Sequence, residues 1–352
     1  MARQLITALG HAGYEVEIAS KLRMLDKQGN AALTDSLAIQ ALAQADALLR
    51  TWEYMAYSER PRAVFAYHVH YKAPDVVGPR LAQGLGVPYV IAEGSRAPKR
   101  ANSRWARGHV LAERALDAAD AILVMNNNDN EMLERARPSG QRLIGLPPFL
   151  DIEAWPIAPA LREENPPLKL LAVAMMRPGD KFASYCTLAS ALARLGPRLE
   201  WTLDIAGDGP ARKDVHALFA PFGARVNMLG LVEEREALAA LYANADLLVW
   251  PAENEAYGMV FLEGALQGCP ALAGHTGGVP AVVRHGETGV LVPVGNPVAF
   301  AEAIEELAAK REALARMGRN AAAFVRADRS LTGAAVRLKR VIGSLIKTGP
   351  AR

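Results

Sequence analysis

The chain has 352 residues, enough for one large domain or two of ordinary size, and 51% hydrophobic with 22% charged residues is the composition of a folded globular protein. A formal net charge of +3 is small for this length, so a pI near 8.8 gives no general nucleic-acid-binding surface and any basic site must be local. Cys186 and Cys269 are too few for a disulfide framework and, with no signal peptide, point to a reducing cytosol; no apolar run reaches the roughly 18 residues of a membrane span.

The chain opens on an amphipathic helix, MARQLITALGHAGY, whose apolar stripe is Leu5, Ala8, Leu9 and Ala12. YEVEIAS (14–20), AVFAYHV (63–69), VPYVIAE (87–93) and DAILVMN (120–126) then read as strands with helical sequence between them. That alternation specifies parallel strands joined by helical crossovers. A doubly wound half begins with a strand and a tight glycine turn ahead of its first helix, whereas here the helix comes first. The missing strand is central in the usual order, so its neighbours keep unpaired backbone groups. The expectation is an N-terminally incomplete first domain, residues 1–155. Either the true start lies upstream or this half is compromised, with low expression or activity of the 352-residue form.

A stretch rich in proline and charge, from Ile157 to Lys169, has neither helical nor strand periodicity and reads as a linker, set at 156–167. Alternation restarts in a second domain, 168–326, with LKLLAVAMM (168–176), EWTLDIAG (200–207), RVNMLG (225–230), ADLLVWP (245–251), CPALAG (269–274) and TGVLVPV (288–294) as its strands. The tail, 327–352, is helical, breaks near DRSL (328–331) and is expected to pack back on the first domain. The fold class is α/β: two Rossmann-like doubly wound domains, with a ligand cleft expected between them at the carboxyl ends of the strands.

EAYGMVFLEGALQG (255–268) places a helix start after a buried strand and a loop, and Gly268 closes the helix. The amides of Tyr257, Gly258 and Met259 at that start favour a phosphate. Glu255 precedes the helix, and Glu263 lies one turn beyond Met259 on the same face. Two carboxylates so placed can accept hydroxyls on either side of a diphosphate, which is the shape of a nucleotide sugar.

These motifs resemble those of the retaining GT-B glycosyltransferases of family 4, the glycosyl transferases group 1. The family stretch runs Glu, Gly, aromatic, Gly, four mostly apolar residues and Glu; this chain departs from it only at Ala256. The resemblance implies that Glu255 binds the donor sugar hydroxyls and Glu263 the nucleotide ribose. IAGDGPARKDV (205–215), with Gly207 and Gly209, resembles the family's glycine-rich turn. Residues 228–258, which include Leu231, resemble the segment that carries the nucleobase pocket, and HTGGVPAVVRHGETGVLVP (275–293) resembles the closing turn, with Ala281 in place of a Glu. RPGDK supplies Arg177 and Lys181 at a spacing of four where the family has about five. Arg177 can fork two phosphate oxygens and Lys181 can act as a point charge, offsetting the charge that develops on the leaving diphosphate without a metal.

In the first domain Glu93 stands where the family has a histidine after a strand. A carboxylate there can stabilise positive charge at the anomeric carbon, act as a nucleophile, or pair with Arg96 as an ordinary loop residue. His68 and His70 end the preceding strand; at most one is expected to face the cleft, they are not expected to converge on a metal, and His68 resembles a residue of the acceptor region. Arg96, Lys99, Arg100, Arg104 and Arg107 surround Trp105 with no acidic residue among them, which suits an anionic acceptor, a lipid phosphate or a membrane surface, or else a solvated helix face. DAADAILVMNNNDNEML and IGLPPFLDIEAW resemble the family's strand-to-loop and domain-crossing segments.

The expected function is transfer of a hexose from a nucleotide diphosphate sugar, such as a UDP- or GDP-hexose, to an acceptor with retention. No metal, cofactor or nucleic acid is expected to take part, and the expected location is the cytoplasm, with peripheral contact at the inner membrane face as a further option. A nucleotide-sugar epimerase of the same architecture and an inactive donor-binding relic are the alternatives.

Overall fold

The computed structural model describes residues 1–159 and 167–346, so most of the expected linker and the end of the tail lie outside it. The chain forms two compact units, Met1–Pro147 with the chain from Ala334 onward, and Pro148–Gly333. The change of unit falls ahead of the boundary expected at 155.

The first unit runs α1 (Ala2–His11), α2 (Ala31–Glu53), β1 (Val64–Val69), α3 (Val77–Leu85), β2 (Tyr89–Gly94), α4 (Ala106–Ala118), β3 (Ala121–Val124), α5 (Asn127–Arg135) and β4 (Arg142–Gly145). Its strands form one parallel sheet in the order β1-β2-β3-β4. α1 forms where its stripe requires and buries Leu5, Ala8 and Leu9. YEVEIAS does not become a strand: residues 14–20 join no ladder, and Val16 and Ile18 are exposed. Alternation makes a strand only when a neighbouring backbone takes its hydrogen bonds, and β1 pairs with β2 alone among the described residues. β1 is therefore an edge strand, and the order β1-β2-β3-β4 runs without the expected internal gap. β1 is accordingly half-buried along most of its length, whereas β2 and β3 are almost wholly buried. β4, a short RLIG segment, carries no alternation and escapes a sequence reading.

The second unit contains β5 (Leu168–Val173), α6 (Asp180–Leu192), β6 (Trp201–Ala206), α7 (Arg212–Phe219), β7 (Val226–Gly230), α8 (Arg235–Asn244), β8 (Leu247–Trp250), α9 (Met259–Leu266), β9 (Ala271–Gly274), α10 (Val279–Val282), β10 (Gly289–Val292), α11 (Pro297–Ala309) and α12 (Arg311–Asp328). α13 (Leu331–Leu345) follows after a break at Arg329 and Ser330. The six strands are parallel in the order β10-β9-β8-β5-β6-β7. β8 reads LLVW because all four residues are buried, as expected of a parallel strand covered by helices on both faces. Tyr185, Tyr242, Trp250, Phe261 and Phe300 fill the core around it. The chain winds outward from β5 through β6 to β7, then returns to place β8 on the other side of β5. Ligands of such sheets bind at this reversal, outside the carboxyl ends of the two central strands.

Candidate functional site

The loops leaving β5 and β8 are the ones that flank the reversal. The first carries Arg177 and opens α6 with Asp180 and Lys181; the second, 251–258, opens α9. Side chains tie the second loop to α6. Asn254 Nδ2 donates to Asp180 Oδ2 at 2.8 Å, the Glu253 amide to Ser184 Oγ at 2.9 Å, and Thr187 Oγ1 to Glu253 Oε1 at 3.0 Å. Lys181 Nζ donates to the Glu255 carboxylate, and Trp250 Nε1 reaches the same oxygen at 3.4 Å. Ala252 and Asn254 hold φ of +58° and +51°, which residues with a Cβ rarely adopt, and these bonds keep them there. Glu255 and Lys181 thus form a pair whose side chains are 14% and 27% exposed. Arg177 is exposed and has no acidic partner among the described residues.

The glycine turns serve the same loops by close backbone approach. Gly277 has φ of +52°, and a Cβ on it would strike the carbonyl oxygen of Glu255; one on Gly278 would strike that of Ala256, which accepts the Gly278 amide at 2.8 Å. A Cβ on Gly207 or Gly209 would likewise meet the carbonyl oxygen of Ala174 or Met176 beyond β5. At these four positions glycine is required where one loop lies on another.

Glu263 accepts the Tyr242 hydroxyl at 3.0 Å. Burial pushes its carboxyl above the ordinary range, while the Tyr242 bond and the Arg235 charge pull it back in part. Gly258 caps α9 with φ of +70°, Met259 is the first helical residue, and the Tyr257 ring is buried against Gly278. Leu231, just after β7, is 63% exposed. Tyr242, Trp250, Asp180, Ser184, Thr187 and Asn254 all position these groups, and sequence reasoning missed them. Tyr242 and Trp250 look like core aromatics, and the others like ordinary loop and helix polar residues.

In the first unit, Glu93 and His68 end adjacent parallel strands, both at positive φ (+61° and +62°), with His68 Nδ1 and Glu93 Oε1 3.8 Å apart. Tyr67 donates its hydroxyl to Glu93; burial, with the Glu93 charge, raises the Tyr67 phenol well above its usual range. Glu93 Oε2 is buried without a hydrogen-bond partner among the described residues. Burial also raises the Asp129 carboxyl, which bonds Ser95 and faces the Glu93 charge. The His68 and His70 rings nonetheless lie edge to face with centroids 4.5 Å apart, His68 at positive φ and His70 just beyond the end of β1. Burial lowers His70 to about 4, so it is neutral at pH 7, and its Nδ1 accepts the Lys72 amide at 3.0 Å.

Arg96 is neither the partner of Glu93 nor a cation open to an acceptor. It is 7% exposed and bound to Glu113 and Asp117 of α4, and Arg107 likewise pairs with Asp35 of α2. Lys99 and Arg100, from the same acid-free stretch, have no acidic partner among the described residues. A cavity of about 970 Å³ between α2, α3 and α4, lined by Ile39, Leu42, Pro79 and Leu111, includes Arg107 but no other residue of the sequence-derived sites.

Residues 180–324 match the family described as glycosyl transferases group 1. The chain is 28% identical over 243 residues to the alpha-D-kanosaminyltransferase of Streptomyces kanamyceticus, covering 66% of this chain and 61% of that protein. It therefore spans about three fifths of the length of that curated relative. It is also 28% identical over 335 residues to a D-inositol 3-phosphate glycosyltransferase of Streptomyces bingchenggensis, covering 82% of this chain and 68% of that protein. Among solved structures, Anabaena Alr3699/HepE in complex with UDP superposes with a TM-score of 0.69 at 18% identity, covering 86% of this chain and 82% of that one. A sucrose-phosphate synthase of Thermosynechococcus elongatus superposes with a TM-score of 0.67 at 19% identity, covering 86% and 78%. Residues 180–324 thus carry the likeness to the glycosyl transferases group 1, and the chain has the GT-B fold.

Proposed function

We propose that the protein transfers a hexose from a nucleotide diphosphate sugar to an acceptor hydroxyl with retention at the anomeric carbon, as a cytoplasmic enzyme without metal or cofactor. The observation that carries this reading is the Lys181–Glu255 pair at the β5/β8 reversal, beside the start of α9 and the exposed Arg177. Relatives named as glycosyltransferases, and neighbours solved with UDP and with UDP-glucose, support a nucleotide-sugar donor. In the proposed mechanism Arg177, Lys181 and the first amides of α9 hold the departing diphosphate while the acceptor attacks from the same face and a phosphate oxygen takes its proton. Glu255 orients the donor sugar, Glu263 binds the ribose, and Glu93 is the carboxylate that stabilises the charge developing on the sugar.

The test is a screen of UDP, GDP and ADP sugars for nucleotide diphosphate release with candidate acceptors, followed by NMR assignment of the product anomer. Release with none of them sinks the proposal, and an inverted product removes retention. EDTA is expected to leave the rate within about twofold, because cationic side chains and helix amides supply the charge. Strict dependence on magnesium or manganese would contradict that part.

Glu263→Ala is expected to weaken nucleotide diphosphate binding by roughly ten- to a hundredfold, since hydrogen bonds to a charged acceptor are worth about 1.5–3 kcal/mol. Because burial raises this carboxyl, the ionised acceptor is lost as pH falls at values above the ordinary glutamate range. Wild-type affinity should therefore begin to drop there, and the Glu263→Ala protein should lack that drop. Calorimetry across pH checks both; unchanged affinity in the variant refutes the ribose assignment.

A further inference from the structure

The outer face of α2 lacks the charges that a solvent-facing helix carries. Between Asp35 and Asp46 the run SLAIQALAQA (36–45) holds no charged side chain. One side of the helix is accounted for, since Thr34, Ala38, Ala41 and Ala45 are buried within the first unit. The other side is open: Ile39 is 69% exposed and Leu42 42%, and Ser36, Gln40 and Ala43 beside them are exposed too. A helix that packs on a core by one face carries charged residues on the other, so an uncharged outer face with a protruding isoleucine marks an interaction surface.

The same face contains a hollow. The cavity between α2, α3 and α4 has the buried Ala38, Ala82 and Ala115 among its walls, and their small side chains leave the space. Ile39 and Leu42 line it as well and remain exposed. A ridge and a hollow on one face suit pairing of that face with itself, because in a twofold contact each copy offers its ridge to the hollow of the other.

Charge tells against other occupants. Arg80 pairs with Asp46 at 2.7 Å and Arg107 pairs with Asp35, so these cations are neutralised in place and offer little to a phosphate or an anionic surface. None of the side chains lining the hollow holds a buried polar atom without a partner among the described residues, so no polar group waits there to orient a small ligand. The rim also carries the exposed Arg114 and Asp120, of opposite sign, and two copies face to face meet no net repulsion. Size agrees with a second copy. α2, with 23 residues, is about 34 Å long. A face of that length and about 20 Å across, two helix spacings, offers roughly 700 Å² per copy, close to the roughly 800 Å² that each partner gives to a stable complex.

We propose that this face is an interface between two copies of the chain, in which α2 packs on α2 about a twofold axis and Ile39 and Leu42 of each copy enter the hollow of the other. The proposal goes beyond the glycosyltransferase reading and does not depend on it.

The test is sedimentation velocity of the full chain over roughly a hundredfold range of concentration, since a dimer dissociates on dilution by mass action. Circular dichroism confirms the fold of each variant. The wild-type chain is expected to form a dimer whose dissociation constant rises at least about tenfold in Ile39→Glu and again in Ile39→Glu/Leu42→Glu, because a carboxylate buried in this contact finds no partner. Ala43→Glu, on the same exposed side of α2, provides an independent loss should Leu42→Glu fail to fold. Val336→Glu is the control: it places a charge on an exposed apolar residue of α13 and is expected to leave association unchanged. Anilinonaphthalene sulfonate, a fluorescent probe of exposed apolar surface, should bind less per chain as concentration rises and the face is covered. A monomer at every concentration overturns the proposal. So does a dimer unchanged in folded Ile39→Glu and Ala43→Glu, or an equal loss in Val336→Glu. Dye binding independent of concentration in a self-associating chain would show that the hollow stays open to a small apolar ligand, and overturns it too.

Discussion

Replacing Lys181 by alanine is expected to lower kcat by about a hundred- to a thousandfold, the range seen when one preorganised charge donor to a transition state is removed. The negative charge on a departing diphosphate grows along the reaction, so kcat should fall more than KM rises. The structure adds a second consequence. Lys181 is the ion-pair partner of Glu255, so its loss leaves that mostly buried carboxylate, among the described residues, with the 3.4 Å contact from Trp250. Removing one member of a buried pair costs more than removing both. The partial exposure of both side chains reduces that cost here. Lys181→Met should therefore destabilise the protein more than Lys181→Met combined with Glu255→Gln. Thermal unfolding and nucleotide-release kinetics of wild type, Lys181→Met, Glu255→Gln and the double variant form a double-mutant cycle. Additive effects on stability would show that the pair carries no coupling, and undiminished kcat in Lys181→Ala would remove the lysine from the mechanism.

Gly277→Val is the second substitution with a large expected effect. Two penalties coincide: φ of +52° is strained for a β-branched residue, and the new Cβ points at the Glu255 carbonyl oxygen, which is backbone and cannot swing away. Strain of this kind costs about 1–3 kcal/mol before the clash is counted. A fall in unfolding temperature of roughly 5 °C or more is expected, at about 2–4 °C for each kcal/mol in a domain of this size. Nucleotide binding should fall further than stability alone requires, because the displaced segment is the one that presents Glu255 and opens α9. Gly286→Ala is the control: its φ is +78°, but the space around a Cβ there is open. Equal effects of the two substitutions would mean that close packing on the glutamate loop does not matter.

Lys181 and Gly277 also mark how far the sequence could be read. The strands of the second unit, the loop after β8 and the start of α9 follow from apolar runs bounded by turn residues, because a parallel strand covered on both faces must be apolar throughout. Motif order then carried the group 1 resemblance. Local sequence also placed Lys181 near β5, but its pairing with Glu255 across 74 positions arises only when β8 is laid beside β5. Gly277 read as a turn former, whereas its need for glycine comes from the Glu255 carbonyl lying on it.

In the first unit the limit is sharper. YEVEIAS has the alternation of a strand and forms none, since backbone hydrogen bonds require a partner that a local pattern cannot supply. The run of cations from Arg96 to Arg107 looked uniform because its acids lie elsewhere in the chain. Folding brings Glu113 and Asp117 to Arg96 and Asp35 to Arg107, while Arg100 and Arg104 meet Lys72 and two aromatic rings instead. The sequence by itself determined which residues are charged, apolar or free to turn, properties that reside in each side chain and its near neighbours. Which charges are neutralised, which carboxylates are buried and which glycines admit no side chain were decided by the tertiary structure alone, because each depends on an atom that only the fold brings within a few ångströms.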